Sequence, residues 1–100
     1  ARQILAFSAV GSLRAELAPG DMVVPTQYID KTKTVRRTSF LSGPLVGHVS
    51  LARPVAESLV EETKKISSKL SFKSHFDKVS IVVEGPYFST KAESHLYRSW

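Results

Sequence analysis

The stretch that most constrains this chain is Val79–Ser94, VSIVVEGPYFSTKAES. Val79, Ile81, Val82 and Val83 form a β-branched apolar run of the kind that fills a buried strand. Gly85-Pro86 breaks the pattern. Thr90 and Glu93 then have the S/T-x-x-E spacing of a capping box, in which two side chains satisfy orphan backbone donors at a helix start. The order is therefore strand, sharp turn, helix, with Tyr87, Phe88 and Ser89 exposed in the turn. In α/β sheets ligands collect at the carboxyl ends of strands, so this turn is the first candidate for a binding surface.

A second strand of this type, Ile4–Val10, is short and continuously apolar, as a central parallel strand would be. It runs into Ser8-Ala9-Val10-Gly11-Ser12. Small residues there allow close approach of a ligand to the backbone, and a Gly permits a turn that aims amides inward, an arrangement suited to phosphate. A plain strand-to-loop turn is the alternative. Ala18-Pro19-Gly20-Asp21 matches a type II turn. Met22–Ile29 follows as a strand in which Pro25 implies an edge or a bulge.

Asp30–Val46 lacks periodicity and reads as a long excursion. It holds Phe40 and the one tight basic cluster, Lys31, Lys33, Arg36 and Arg37. Pro54 opens an amphipathic helix with Val55, Leu59, Ile66 and Leu70 as its buried stripe and Glu61–Lys65 as a minor i,i+4 pair. Ser71–Lys78 is expected to connect that helix to the strand before Gly85-Pro86. The chain is thus read as α/β, one partial domain over 1–100. Its abrupt ends, and a parallel pair that needs more sheet around it, point to a piece of a larger domain.

Composition removes several function classes. The chain has no cysteine, which excludes disulfides and thiolate metal sites. His48, His75 and His95 lack metal-ligand spacing, so no metal is expected. No Gly-x-Ser-x-Gly elbow supports a hydrolase triad. No apolar run reaches the roughly 20 residues of a membrane span, and the stretch ARQILAFSAV is too short in apolar residues to read as a secretory signal. The net charge of +5 raises a nucleic-acid partner. Lys64, Lys65, Lys69, Lys73 and Lys78 are interleaved with Glu57, Glu61 and Glu62, however, and a solvated face accounts for them; a local anion site fits the charge better. His48, within Val46-Gly47-His48-Val49, reads from its setting as a packed structural residue.

Four blocks in order, LAFSAVGSLR (Leu5–Arg14), LAPGDMVVPTQYID (Leu17–Asp30), VGHVSLARPV (Val46–Val55) and EGPYFSTKAESHLYRSW (Glu84–Trp100), resemble the trimeric nucleoside phosphorylases. Within that family the resemblance is to the branch that cleaves S-methyl-5′-thioadenosine, in a fungal-type version. It implies a mixed central β-sheet flanked by helices, with the N- and C-terminal parts of the domain lying outside this chain. It also implies phosphorolysis: phosphate attacks C1′ and adenine leaves, through an oxocarbenium-like transition state that needs no covalent enzyme nucleophile. No cofactor is implied, inorganic phosphate being a co-substrate.

Carried over by position, Ser8 and the backbone of Ala9 belong to the phosphate site. His48 lines the pocket for the sugar's 5′ substituent near a subunit boundary, and Phe88 packs on the purine. Ser89 stands where the 6-oxopurine branch has a carboxylate, and a neutral Ser suits adenine, because a mismatched buried polar group is left unsatisfied. Tyr87 and Arg53 depart from the family's usual residues. No residue of the chain is expected to be catalytic in its own right. A homotrimeric parent in the cytoplasm, or also the nucleus, working in purine and methionine salvage, completes the expectation, with no membrane or nucleic-acid partner. The competing readings are a broader purine nucleoside phosphorylase, a non-catalytic binding or regulatory domain on the same sheet, and a basic nucleic-acid-binding module.

Overall fold

The computed structural model describes residues 1–32, 39, 41 and 43–100. Lys33, Arg36, Arg37 and Phe40, singled out above, lie outside the described residues. The element order is β1 (Met22–Asp30), α1 (Glu57–Ser67), β2 (Ser74–Val82) and α2 (Lys91–Ser99). The class is α/β, and the two strands pair in parallel through a crossover that contains α1.

β1 begins where the type II turn ends. The Asp21 N–H donates to the Ala18 carbonyl at 3.1 Å, and Gly20 has φ 91°, the left-handed value that this turn requires at its third residue. Pro25 then leaves its mark on the ladder. The partner offset is 52 residues at Met22↔Ser74 and Val23↔His75, 53 at Pro25↔Lys78, and 52 again from Gln27↔Val79 to Asp30↔Val82. One extra residue on β2 is followed by one extra on β1, so two bulges cancel. Proline has no N–H for the ladder, and the strand pair bulges around it. Asp77, with φ 56°, occupies the first bulge.

β2 starts at Ser74, so most of the connector expected over Ser71–Lys78 is strand. Pairing with β1 drew in Ser74, His75 and Phe76, which local alternation did not reveal. The apolar run is less covered than a buried strand should be. Val79 and Val83 are exposed, and Val83 lies beyond β2's end. A parallel pair needs both faces covered, and two short helices cover it only in part.

Helix α1 begins at Glu57 after Ala56 in the N-cap position, three residues later than Pro54 suggests. Its covered face runs through Leu59, Val60, Thr63, Lys64 and Ser67, while Ile66 and Leu70 are exposed. Val60, 6% exposed, is the one buried hydrophobic side chain among the described residues. The expected stripe is therefore rotated by about one residue's turn. The face is decided by β2, over which Lys64 Nζ sits 5.7 Å from the Phe76 ring. Glu61 pairs with Lys64 at 3.1 Å rather than with Lys65.

The largest departure is Ile4–Val10, which forms no strand. It is irregular and exposed, with Ile4 83% and Phe7 71% open to solvent. A strand exists by virtue of its ladder, and among the described residues neither β1 nor β2 offers one to this segment. The radius of gyration, 16.1 Å against about 13 Å for a compact domain of this length, expresses the same openness.

Candidate functional site at the carboxyl end of the strand pair

The backbone leaves β2 at Val82, passes Glu84, and turns through a cis Gly85-Pro86 bond. The turn ends at Thr90, whose hydroxyl accepts from the Glu93 N–H at 3.1 Å while Glu93 Oε2 accepts from the Thr90 N–H at 2.7 Å. Both halves of the capping box are present, so the start of α2 is fixed. Between these two anchors stand Tyr87, Phe88 and Ser89. Phe88 is 96% exposed and Tyr87 is also open, whereas Ser89 is half-buried. An aromatic face held in water on a short, doubly anchored turn is available to stack on a flat ring.

The other end of α2 is tied to β1. Lys31, just past β1, donates its N–H to the Val82 carbonyl at 2.8 Å and holds Nζ 5.7 Å from the Trp100 ring. Trp100 in turn packs on Tyr97, ring centroids 5.5 Å apart. Loss of hydration pushes the Tyr97 phenol above its ordinary value. The carboxyl ends of both strands thus frame one side of α2.

The first block reaches the same helix by a different route. Ser12 Oγ donates to the Arg14 carbonyl at 2.7 Å and accepts from the Arg14 N–H at 3.0 Å, which closes a local turn. This turn and the flank of α2 enclose an open pocket of about 330 Å³ lined by Ser12, Arg14, Ser94, His95 and Arg98 among others. Ser8 and Ala9 lie upstream of it in the segment Ile4–Val10, both exposed. The amide nest expected there is not formed through Gly11: its φ is not positive, and a Cβ built on it meets nothing within 4 Å.

His48 is exposed, not packed as its apolar neighbours suggest. Its segment is tethered to β1 by Gln27, whose Nε2 donates to the Ala52 carbonyl at 2.9 Å. Among the described residues no hydrogen bond, ion pair or ring contact joins His48 to Phe88, Ser89, Ser8 or Ala9. The chain therefore brings the first and last blocks to one helix and leaves His48 apart. Arg53 is paired with Glu57 at 2.9 Å on the surface.

A titratable pair that sequence reading passed over lies at the opposite, amino end of the strands. His75 Nε2 is 2.7 Å from Asp21 Oδ2, with both side chains 12% exposed. The Ala18 N–H donates to the same carboxylate oxygen at 3.1 Å. These hydrogen bonds, the His75 contact foremost, hold the Asp21 carboxyl below its ordinary value. Asp21 is visible in the sequence as the end of a turn, but its partner is 54 residues away and no local pattern links them. Among the described residues no three His, Asp or Glu side chains converge as a metal site, and no helix is long and apolar enough to cross a membrane.

Comparison with known proteins gives the family of the chain. Residues 1–100 match the family model of the phosphorylase superfamily. The S-methyl-5′-thioadenosine phosphorylase of Neurospora crassa is 48% identical over 102 residues, covering 99% of this chain and 33% of that protein. The protein of the same name from Tuber melanosporum is 49% identical over 104 residues, covering 99% and 34%. The chain thus spans about a third of the length of the curated relatives it matches. Among solved structures, an asparagine-to-threonine mutant of the adenosine/methylthioadenosine phosphorylase of Schistosoma mansoni, in its apo form, superposes with a TM-score of 0.71 and 31% identity. That match covers 89% of this chain and 38% of the other.

Proposed function

The chain belongs to the phosphorylase superfamily, and on that premise we propose that the protein of which it is a part cleaves S-methyl-5′-thioadenosine with phosphate. A phosphate oxygen forms the bond to C1′ as the C1′–N9 bond breaks. Adenine leaves with the electron pair and takes up a proton, and 5-methylthioribose 1-phosphate is the second product. The observation that carries this reading is the exposed Phe88, with half-buried Ser89 beside it, held between the carboxyl end of β2 and the capped start of α2. The names of the relatives that share this block support the choice of substrate.

In this reading Phe88 stacks on adenine. Ser89, neutral where a 6-oxopurine site has a carboxylate, accommodates the 6-amino group. Ser8 and the backbone of Ala9 contact phosphate once the segment Ile4–Val10 is brought into the sheet of the parent. His48 contributes to the 5′ pocket at a boundary between subunits of a homotrimer, and its exposure here is what such a position requires. The protein acts in purine and methionine salvage in the cytoplasm or nucleus, and no cofactor takes part. The 100 residues form one wall of the site and are inactive by themselves.

The test is adenine release by the parent protein and by the 100-residue chain, with and without phosphate. Phosphate-dependent release by the parent alone is the expected result. In the parent, Ser89→Glu should lower kcat/KM for methylthioadenosine by about a hundredfold and favour inosine over adenosine. A parent that cleaves inosine as well as methylthioadenosine, or a Ser89→Glu variant with unchanged preference, would overturn the reading.

A further inference from the structure

We propose that the pocket between the Ser12–Arg14 turn and α2 binds a tetrahedral oxyanion of the phosphate class, gripped by Arg14 and Arg98. This does not rest on phosphorolysis, and the pocket lining contains neither Ser8 nor Ala9. Arg14, His95 and Arg98 line one open pocket of about 330 Å³ whose lining includes no acid. Among the described residues neither arginine is in an ion pair. The acid next to this part of α2, Glu93, has its carboxylate engaged with the Thr90 N–H at 2.7 Å.

The hydroxyl protons at the cavity are also engaged. Ser12 donates to the Arg14 carbonyl at 2.7 Å, and Ser94 donates to the Thr90 carbonyl at 2.9 Å. The side-chain donors that remain among the lining residues are two guanidinium groups and an imidazole. A neutral ligand gains little from that set. A compact oxyanion takes the planar forks of both arginines in charge-assisted bonds, with His95 at the rim. The turn that carries Arg14 is closed by its own two hydrogen bonds, and Arg98 stands on a helix whose start is capped, so the backbone under both is held.

The test is a titration of the full 100-residue chain with inorganic phosphate, and in parallel with ribose 5-phosphate, at constant ionic strength, followed by backbone amide NMR shifts. Saturable shifts at Ser12–Ala15 and Ser94–Arg98 are expected. Arg14→Gln and Arg98→Gln should each weaken binding by about fivefold or more, and the charge-matched Lys69→Gln should not. Binding of ribose 5-phosphate as tight as that of phosphate identifies a phosphomonoester as the natural ligand; binding of phosphate alone identifies the free anion. If a Gln variant loses the helical signal of α2, Arg14→Lys and Arg98→Lys replace it, since they keep the charge, remove the fork and should still weaken binding. Absence of saturable shifts, shifts that survive the double Arg variant, or their loss in Ser8→Ala with the Arg variants unaffected would overturn the proposal.

Discussion

The two ends of the β1–β2 pair are built on opposite principles. At the amino end, Asp21 and His75 face each other at 2.7 Å with 12% of each side chain exposed, and the carboxylate also accepts the Ala18 N–H. Both groups of this pair are satisfied within the chain, while the buried hydroxyl of the neighbouring Ser74 has no partner among the described residues. At the carboxyl end, Phe88 projects into solvent, held on a turn whose own hydrogen bonds lie at its flanks, in the capping box. The amino end closes the turn onto β2 through the Asp21–His75 pair, whereas the carboxyl end is ordered at the capping box and open before it. Such an arrangement marks the carboxyl end for a ligand and the amino end for stability.

That contrast can be broken by substitution. Val60→Ala, in the α1 face over the strands, should cost about 2 kcal/mol of unfolding free energy in the parent protein, read by urea denaturation, with little effect on KM. Phe88→Ala should do the reverse: KM for methylthioadenosine rises about tenfold, while the urea midpoint stays where it was. A Phe88 variant that unfolds early would make the carboxyl end structural and dissolve the distinction. Thr90→Ala removes the cap and should cost about 1 kcal/mol, with a smaller rise in KM, because the cap fixes the turn without touching the base.

Asp21→Asn sharpens the comparison through pH. The folded-state pKa of Asp21 is depressed, so its contribution is complete above the unfolded value of about 3.9 and is lost as pH falls through the lower folded value. Wild type should therefore be more stable than the variant at neutral pH, and the two urea midpoints should converge on the acid side of the ordinary carboxylate range. Curves that stay parallel down to the lowest pH would remove the His75 hydrogen bond as the cause. Glu61→Gln, at an exposed pair with Lys64, should leave both stability and activity unchanged.

Local chemistry made several of these features legible. Pro19-Gly20 announced its turn, Pro25 its bulge, and Thr90 with Glu93 the cap of α2, since each depends on residues within four positions of one another. The block resemblance joined them into one family. Other features needed distant partners. The His75 strand segment and the Asp21–His75 contact are set by residues more than fifty positions away, and the face of α1 meets Phe76 twelve positions beyond Lys64; periodicity does not carry that information. The reverse error occurred at Ile4–Val10, where strand-forming residues have no ladder among the described residues to complete them.

The sequence by itself determined the punctuation of this protein: where backbone must turn, where helices may start, and which side chains, Phe88 and Ser89 above all, stand at the turn. Those outcomes follow from φ limits, missing N–H groups and short-range capping, which act within a few residues. Tertiary structure alone decided which faces were covered and which charges met. It set Arg14 beside Arg98 and Asp21 against His75, because burial and pairing are properties of surfaces brought together and not of neighbours along the chain.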